Sequence, residues 1–472
     1  KKKKVMISYD GRYNSQQFAK ATAEVLASCG ITVFITKELQ PTPFLSFAVR
    51  YTRCDLGVMI TASHNSYEYN GYKLFDENGT QFIDTAKISE YIDQVDIFNV
   101  QSQNFENLVE LGKIKFVCDS VVDEYLKQIK QIRPDSNKNS SSALKIVYTP
   151  LCGAGYKLVP RLLKEQGFDN LQLVLEQSMI DSNFTTCPNP NPEKVEALSL
   201  AMNLAKTTNA DLIIATDPDC DRVGVMVLHE NQYKVISGNE MGVLLTDFLL
   251  SQHIANNTMP KNPMIVRNIV STALVDKIAK DYDVVVESVL IGFKHIGQVV
   301  NELQQTQRQD SFILGFEESM GYLIGTHARD KDALITSLTI AEMASLWKIQ
   351  GLTLIDRLHS LYKKYGHYSH TLLSYKFDGA NGVKKMACIM DRLREIKTDW
   401  FGKFKLRQFI DYKKSEKYSA NILQFKLQDD MTVIIRPSGT EPIIKVYLNI
   451  FGSTQVNESI QNLKLEVDKI ML

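Results

Sequence analysis

Three carboxylates at alternate positions are the sharpest chemical feature of the chain: Asp217-Pro-Asp-Cys-Asp-Arg222 follows the apolar run Asp211-Leu-Ile-Ile-Ala215. A buried strand ending in Asp217, Asp219 and Asp221 sends hard oxygen ligands into the crevice beyond the strand ends of an α/β sheet, and such a set suits Mg2+. An EF-hand loop beginning at Asp217 needs glycine sixth and glutamate twelfth, where the chain has Arg222 and Leu228, so that reading fails. A dehalogenase-type phosphotransfer site also places Asp-x-Asp after a strand and stays open, as does a solvated acidic turn.

Three further segments carry reactive or anion-binding groups. Thr61-Ala-Ser-His-Asn65 follows the strand-like Leu56–Ile60 and precedes Tyr69-Asn-Gly-Tyr-Lys73. Ser63 at a strand end, beside His64 and near Lys73, fits an activated nucleophile, with an ordinary Ser/Asn turn as the alternative. A hydrolase elbow is disfavoured because Gly-x-Ser-x-Gly is absent there. Arg436-Pro-Ser-Gly-Thr-Glu-Pro442 offers a guanidinium fork, the hydroxyls of Ser438 and Thr440 and the open backbone of Gly439, the parts of a phosphate nest. Gly315-Phe-Glu-Glu-Ser-Met-Gly321 puts Glu317 and Ser319 on one side of an extended segment, where adjacent sugar hydroxyls could be bound, and His327-Ala-Arg-Asp-Lys-Asp332 follows. Neither a Walker motif nor Gly-x-Gly-x-x-Gly occurs.

These loops must be held by a framework, and the framework repeats. A strand, a helix and a strand recur over Val5–Tyr9, Ser15–Gly30 and Ile31–Ile35; over Lys145–Tyr148, Gly155–Gly167 and Leu171–Leu175; and over Met264–Val266, Ser271–Asp281 and Asp283–Val286. Such units require parallel neighbours and right-handed crossovers, which implies three similar α/β domains. The polar stretch 133–142 reads as a linker, and the turn-rich Asn256–Pro263 marks a softer boundary. A long helix over Asp332–Gln350, continuing to Lys364, leads into a smaller α+β domain with strands at Tyr368–Phe377, Asn421–Leu427 and Met431–Ile435 and a helix at Val383–Ile396. The expected division is 1–140, 143–256, 257–366 and 368–472.

Composition limits the partners. The 472 residues carry 54 Lys plus Arg against 54 Asp plus Glu, so no field of one sign draws nucleic acid or anionic lipid. Apolar runs stop well short of the ~20 residues that span a bilayer. Seven cysteines without a Cys-x-x-Cys pair read as reduced thiols of a cytoplasmic protein.

The four motifs in this order, one per domain, resemble those of the α-D-phosphohexomutase superfamily over essentially the whole chain, and Gly-Phe-Glu-Glu-Ser with Arg-Asp-Lys-Asp is similar to its phosphoglucomutase/phosphopentomutase branch. The resemblance implies three related α/β domains with mixed sheets plus a smaller C-terminal α+β domain around a central cleft. It also implies interconversion of sugar 1-phosphate and sugar 6-phosphate, most simply of glucose, through a phosphoserine and a sugar 1,6-bisphosphate. Ser63 would carry the phosphate; Asp217, Asp219 and Asp221 would hold Mg2+ together with that phosphate. Lys73, His64 or His327 would move the hydroxyl proton, while Arg222 and Lys331 would supply positive charge. Lys294, Glu317 and Ser319 would bind the sugar, and Arg436, Ser438, Gly439 and Thr440 the phosphate not being transferred. Phosphopentomutase or phosphomannomutase activity, a dehalogenase-type phosphatase and a silent phosphosugar-binding relative are the alternatives. Three departures from the family pattern stand out: Ser66 replaces a usual proline, Ile291 replaces a usual threonine, and no Gly-Thr-x-Gly-x-Arg segment with its phosphoserine-facing arginine is present. The full protein is therefore expected to be longer, with a hinge near Gly366–Ser374 that lets the fourth domain close.

Overall fold

The computed structural model describes residues 2–471 apart from 84, 133–142, 378, 380, 396–398, 416–418, 439–441 and 453–455. They form two compact units, Lys1–Asn268 with Ala279–Arg357, and Ile269–Ile278 with Leu358–Leu472. The first unit contains three sheets built on one plan. In the first sheet, β1 (Lys4–Tyr9) lies between its parallel neighbours β2 (Thr32–Ile35) and β3 (Leu56–Ile60). There β4 (Tyr72–Phe75) returns antiparallel beside β3, and β5 (Ile114–Phe116) extends the other edge. The second sheet repeats this with β6 (Ile146–Thr149) between parallel β7 (Leu171–Leu173) and β8 (Leu212–Thr216), followed by antiparallel β9 (Val223–His229) and β10 (Gln232–Ile236). In the third, β11 (Met264–Asn268) lies between parallel β12 (Val285–Val289) and β13 (Phe312–Glu317), and antiparallel β14 (Gly321–Ile324) closes the edge.

The repeat expected from the sequence is present, but it lacked a member. Each unit adds a returning antiparallel strand, β4, β9 or β14, so the loops bearing Ser63, the three aspartates and Ser319 are hairpin connections. The ladder partners Ile60 and Tyr72 bracket residues 61–71, Thr216 and Val223 bracket 217–222, and Glu317 and Gly321 bracket 318–320. Because both ends of each loop are fixed by strand register, the loops are anchored more firmly than strand-to-helix turns would be. The central strands are buried apolar runs, as strands covered on both faces must be.

The helix expected to run on to Lys364 is two helices, Ala333–Ile349 and Leu354–Tyr365. Gly351 adopts φ +73 between them, a conformation no α-helix contains. A new start follows at once: Asp356 Oδ2 accepts from the Thr353 backbone N–H at 2.8 Å, and Thr353 Oγ1 from that of Asp356 at 3.2 Å. The first of the two helices is capped by Asp332, whose Oδ1 accepts from the backbone N–H groups of Leu334 and Ile335 at 2.7 and 3.3 Å. Its Oδ2 accepts from the Tyr125 hydroxyl at 2.7 Å and lies 2.6 Å from His327 Nε2.

The second unit is an all-antiparallel sheet in the order β15 (His367–Lys376), β20 (Ile443–Gly452), β19 (Met431–Pro437), β18 (Leu423–Leu427), β17 (Phe404–Asp411), β16 (Trp400–Phe401). Helices Gly382–Arg394 and Val456–Met471 contribute Met386, Met390 and Leu463 to a core with Phe425, Val433 and Leu448 of the sheet. From His367 onward, the expected hinge segment is a ten-residue strand paired with β20, and the left-handed residue ahead of it is Gly366 at φ +100. No helix among the described residues is long and apolar enough to cross a membrane.

Asp332→Ala would remove a helix cap and leave the Tyr125 hydroxyl without its acceptor. We expect a loss of roughly 2–4 kcal/mol, read as faster hydrogen exchange at the Leu334 and Ile335 amides. A loss under roughly 0.5 kcal/mol would show that the cap network contributes nothing.

Candidate active site

The hairpin loop between β3 and β4 carries Ser63 in a left-handed conformation, φ +53, which a residue with a side chain adopts only under constraint. Its backbone N–H donates to Thr61 Oγ1 at 2.8 Å. Its hydroxyl donates to Asp217 Oδ2 at 2.9 Å and lies 3.2 Å from His64 Nδ1. The nucleophile candidate of the first sheet thus meets the carboxylate triad of the second.

The triad turn wraps on itself, with the backbone N–H groups of Asp221 and Arg222 both donating to Asp217 Oδ1 at 3.0 Å. One ligand oxygen from each of Asp217, Asp219 and Asp221 falls within 4.8 Å of the others, and all three residues are buried. Cations converge on them from both sides. Lys73 Nζ, on β4, lies 2.8 Å from Asp219 Oδ2 and 3.7 Å from Asp221 Oδ2. Lys331 Nζ lies 3.2 Å from Asp221 Oδ2 and 2.9 Å from Asp330 Oδ1. Lys331 reaches the triad across Gly321, where a Cβ would stand 2.1 Å from Lys331 Cδ, so any side chain there would displace the lysine. Arg222 Nε lies 3.9 Å from Asp221 Oδ1.

The electrostatics follow from these partners. Burial and then repulsion from Asp219 and Asp221 push Asp217 well above the carboxylate range. Burial and then Asp219 also raise Asp221. Burial works the same way on Asp219, but Lys73 outweighs it and holds that carboxyl below its ordinary value. Burial opposes the charge on Lys73 too, and Asp219 with Asp221 overcome it, so Lys73 is held as an ammonium. The His64 imidazole is pushed down to about 3 by burial and then by Arg222, which leaves it neutral near pH 7. Asp219 Oδ1 and Asp221 Oδ1 are buried without a hydrogen-bond partner among the described residues. Two orphaned hard oxygens within an acidic triad fit a divalent cation that prefers oxygen ligands.

The third sheet contributes Glu317 at the end of β13, whose Oε1 accepts from the Gly292 backbone N–H at 2.8 Å, with Ser319 in the following turn. This turn is joined to the triad loop by the bridge between Arg222 and Gly321 and by the Val223 N–H donating to the Met320 carbonyl at 3.0 Å. Lys294 Nζ donates to the Ile83 carbonyl at 3.4 Å. His327 had been expected among the proton carriers, but its side chain meets Asp332 and Tyr125 of the cap network, not Ser63 or the triad. Arg436 is the penultimate residue of β19 and Ser438 follows the strand in the second unit, while Gly439 and Thr440 lie outside the described residues.

Two residues of the site went unread in the sequence. Thr42, first in helix Thr42–Tyr51, grips Asp219 twice, its N–H donating to the carbonyl at 2.9 Å and its hydroxyl to Oδ2 at 2.8 Å. Arg12 donates to four backbone carbonyls of the Ser63 loop. The available signal was positional: Asp10-Gly-Arg12 follows β1 directly, at the same strand ends that carry the other motifs.

Comparison with known proteins agrees with this geometry. Residues 1–97, 123–230 and 237–365 match phosphoglucomutase/phosphomannomutase alpha/beta/alpha domains I, II and III in turn. A phosphoglucomutase of Staphylococcus haemolyticus is 34% identical over 97% of this chain and 85% of its own length. One from Staphylococcus aureus strain MSSA476 is 35% identical over 94% and 82%. Among solved structures, parafusin, a phosphoglucomutase of Paramecium in its open form, superimposes with a TM-score of 0.73 at 19% identity, covering all of this chain and 88% of that one. A family protein of Burkholderia thailandensis gives 0.72 at 19%, covering 99% and 88%. Three α/β/α layers bearing a serine, an acidic triad and a Glu-x-Ser turn define a phosphosugar mutase, an intramolecular phosphotransferase. The chain belongs to the phosphoglucomutase/phosphomannomutase family within the α-D-phosphohexomutase superfamily.

Asp219→Asn would remove a ligand oxygen's charge and the partner of Lys73. Mutase activity is expected to fall on the order of 100-fold or more, and EDTA should silence the wild type reversibly; full turnover in EDTA would refute the metal assignment. A second expectation concerns Glu318, pushed up to about 7 by burial and then by Glu317. The folded state then binds this proton more tightly than the unfolded chain, where the group titrates near its ordinary value of 4.5. Its contribution to stability is therefore complete below pH 4.5 and is lost as pH climbs through 7. Glu318→Gln should flatten the fall of Tm across that window, and parallel Tm profiles for both proteins would contradict the shift.

Proposed function

We propose that the protein interconverts α-D-glucose 1-phosphate and glucose 6-phosphate through a phosphoserine at Ser63 and a glucose 1,6-bisphosphate. The observation that carries this reading is the Ser63 hydroxyl, held 2.9 Å from a buried triad of carboxylates. In the forward half-reaction the bond from phosphorus to Ser63 Oγ breaks, a bond to a sugar hydroxyl forms, and the hydroxyl proton passes to a protein base. The bisphosphate then turns end for end and returns its other phosphoryl group to Ser63. Asp217, Asp219 and Asp221, with the phosphate on Ser63, would hold Mg2+, which when bound neutralises the transferring oxygens. Lys73, Lys331 and Arg222 add positive charge around that point. His64, 3.2 Å from Ser63 Oγ, would exchange the serine proton, with Lys73 the other candidate. Glu317 and Ser319 would accept from and donate to sugar hydroxyls, and Lys294 would join them in binding the sugar. Arg436, Ser438, Gly439 and Thr440 would hold the distal phosphate. In this reading each of the domains 1–140, 143–256, 257–366 and 368–472 carries one of these loops, and the free thiols of the seven cysteines fit a reducing cytoplasmic setting.

The relatives at 34–35% identity bear the name phosphoglucomutase, which favours glucose, whereas the matching family description also covers phosphomannomutases. Mass spectrometry after exposure to glucose 1,6-bisphosphate should find one added phosphate on Ser63, and none in Ser63→Ala. A phosphate on Asp217 would support the dehalogenase-type reading instead. Comparing kcat/KM for the glucose, mannose and ribose phosphates decides the sugar, and a clear preference for either of the last two would replace glucose.

A further inference from the structure

The loop that presents Ser63 runs for the whole of residues 61–71 between its two ladder ends, and Ser63 itself is held at φ +53. Something must pay the cost of that conformation and stop so long a connection from wandering. The Arg12 side chain, fully buried, lies under it. One terminal nitrogen donates to the Ser63 and Asn65 carbonyls at 2.6 and 2.5 Å, the other to those of Ser66 and Tyr69 at 2.8 and 3.0 Å. The guanidinium is aimed by Asp10, whose Oδ2 lies 3.2 Å from Arg12 Nε, and by the Phe184 ring, 5.0 Å from Cζ. Asp10 also accepts from Ser15 Oγ at 2.7 Å and from Thr61 Oγ1 at 2.6 Å, and that same Thr61 oxygen receives the Ser63 N–H. Both sides of the Ser63 backbone are thereby tied to one buried ion pair, its N–H through Thr61 and Asp10, its carbonyl through Arg12.

We propose that Arg12, aimed by Asp10, is the positioning residue of the nucleophile loop, fixing Ser63 in the geometry from which phosphate is taken up and delivered. The inference rests on the reading of Ser63 as the phosphate carrier. Arg12 acts on carbonyl oxygens of the loop and not on the Ser63 hydroxyl, so it shapes the step without touching the reacting atoms. Its planar fork of donors is what the task requires, since an ammonium cannot span four carbonyls set out along a chain. The guanidinium also places a buried positive charge on the protein side of a loop that would carry a phosphate dianion.

The test compares wild type, Arg12→Lys and Arg12→Ala in the full chain. Small displacements of a reacting group cost on the order of 100-fold, so we expect kcat to fall by about that much in both variants with KM for glucose 1-phosphate within about threefold. Single-turnover phosphorylation of Ser63 by glucose 1,6-bisphosphate, followed by intact mass, should slow in parallel. Methylguanidinium should restore activity to Arg12→Ala and leave Ser63→Ala inactive. Variants that phosphorylate Ser63 at the wild-type rate overturn the positioning role while leaving the Ser63 reading intact. Loss of folding in both variants, shown by circular dichroism and unrelieved by methylguanidinium, also overturns it, because Arg12 would then serve the scaffold alone. A wild type that takes no phosphate on Ser63 overturns the reading and the proposal together.

Discussion

Bringing three carboxylates within 4.8 Å of one another in a buried place is the constraint from which the rest of the first unit follows. Their mutual repulsion in a low-dielectric interior is large, so compensating charge must be delivered to them. It arrives from separate layers: Lys73 rides on the returning strand β4 of the first sheet, and Lys331 follows the third. Neutral donors complete the set, Thr42 from a crossover helix and Ser63 from the first hairpin. The arrangement that balances the triad therefore also fixes how the three sheets meet, and a change at any one ligand is felt by its neighbours through shared partners.

Much of this was legible in the sequence, because the informative residues sit at short, regular spacings. Alternate aspartates after an apolar run, Glu317 two before Ser319, and strand–helix–strand repeats each carry a local signature. What stayed hidden depends on contacts between distant segments. Arg12 has no motif of its own, and its function appears only through carbonyls beginning 51 residues further along. Thr42 reads as a helix start, and nothing nearby announces Asp219, 177 residues away. The contacts of His327 were hidden for the opposite reason: it lies inside a charged motif, yet Asp332, five residues on, caps a helix and lies 2.6 Å from its ring. The helix continuing to Lys364 failed because apolar periodicity persisted across Gly351, where the backbone turns left-handed. Two of the returning strands, β4 and β14, were missed because they are four residues each, too short for alternation to show.

The hairpin character of the site loops has a consequence for the order in which the molecule is made. Each loop closes a ladder between strands adjacent in sequence, a contact of small separation that can form early and cheaply. The bonds that turn those loops into a site span 146 residues from Lys73 to Asp219, 154 from Ser63 to Asp217 and 177 from Thr42 to Asp219. A chain emerging from the ribosome thus completes the hairpin that displays its serine well before the acidic triad exists to receive it. Competence arrives late, as an act of docking between preformed layers, and a nascent chain halted before Asp217 would present the nucleophile with nothing to act upon.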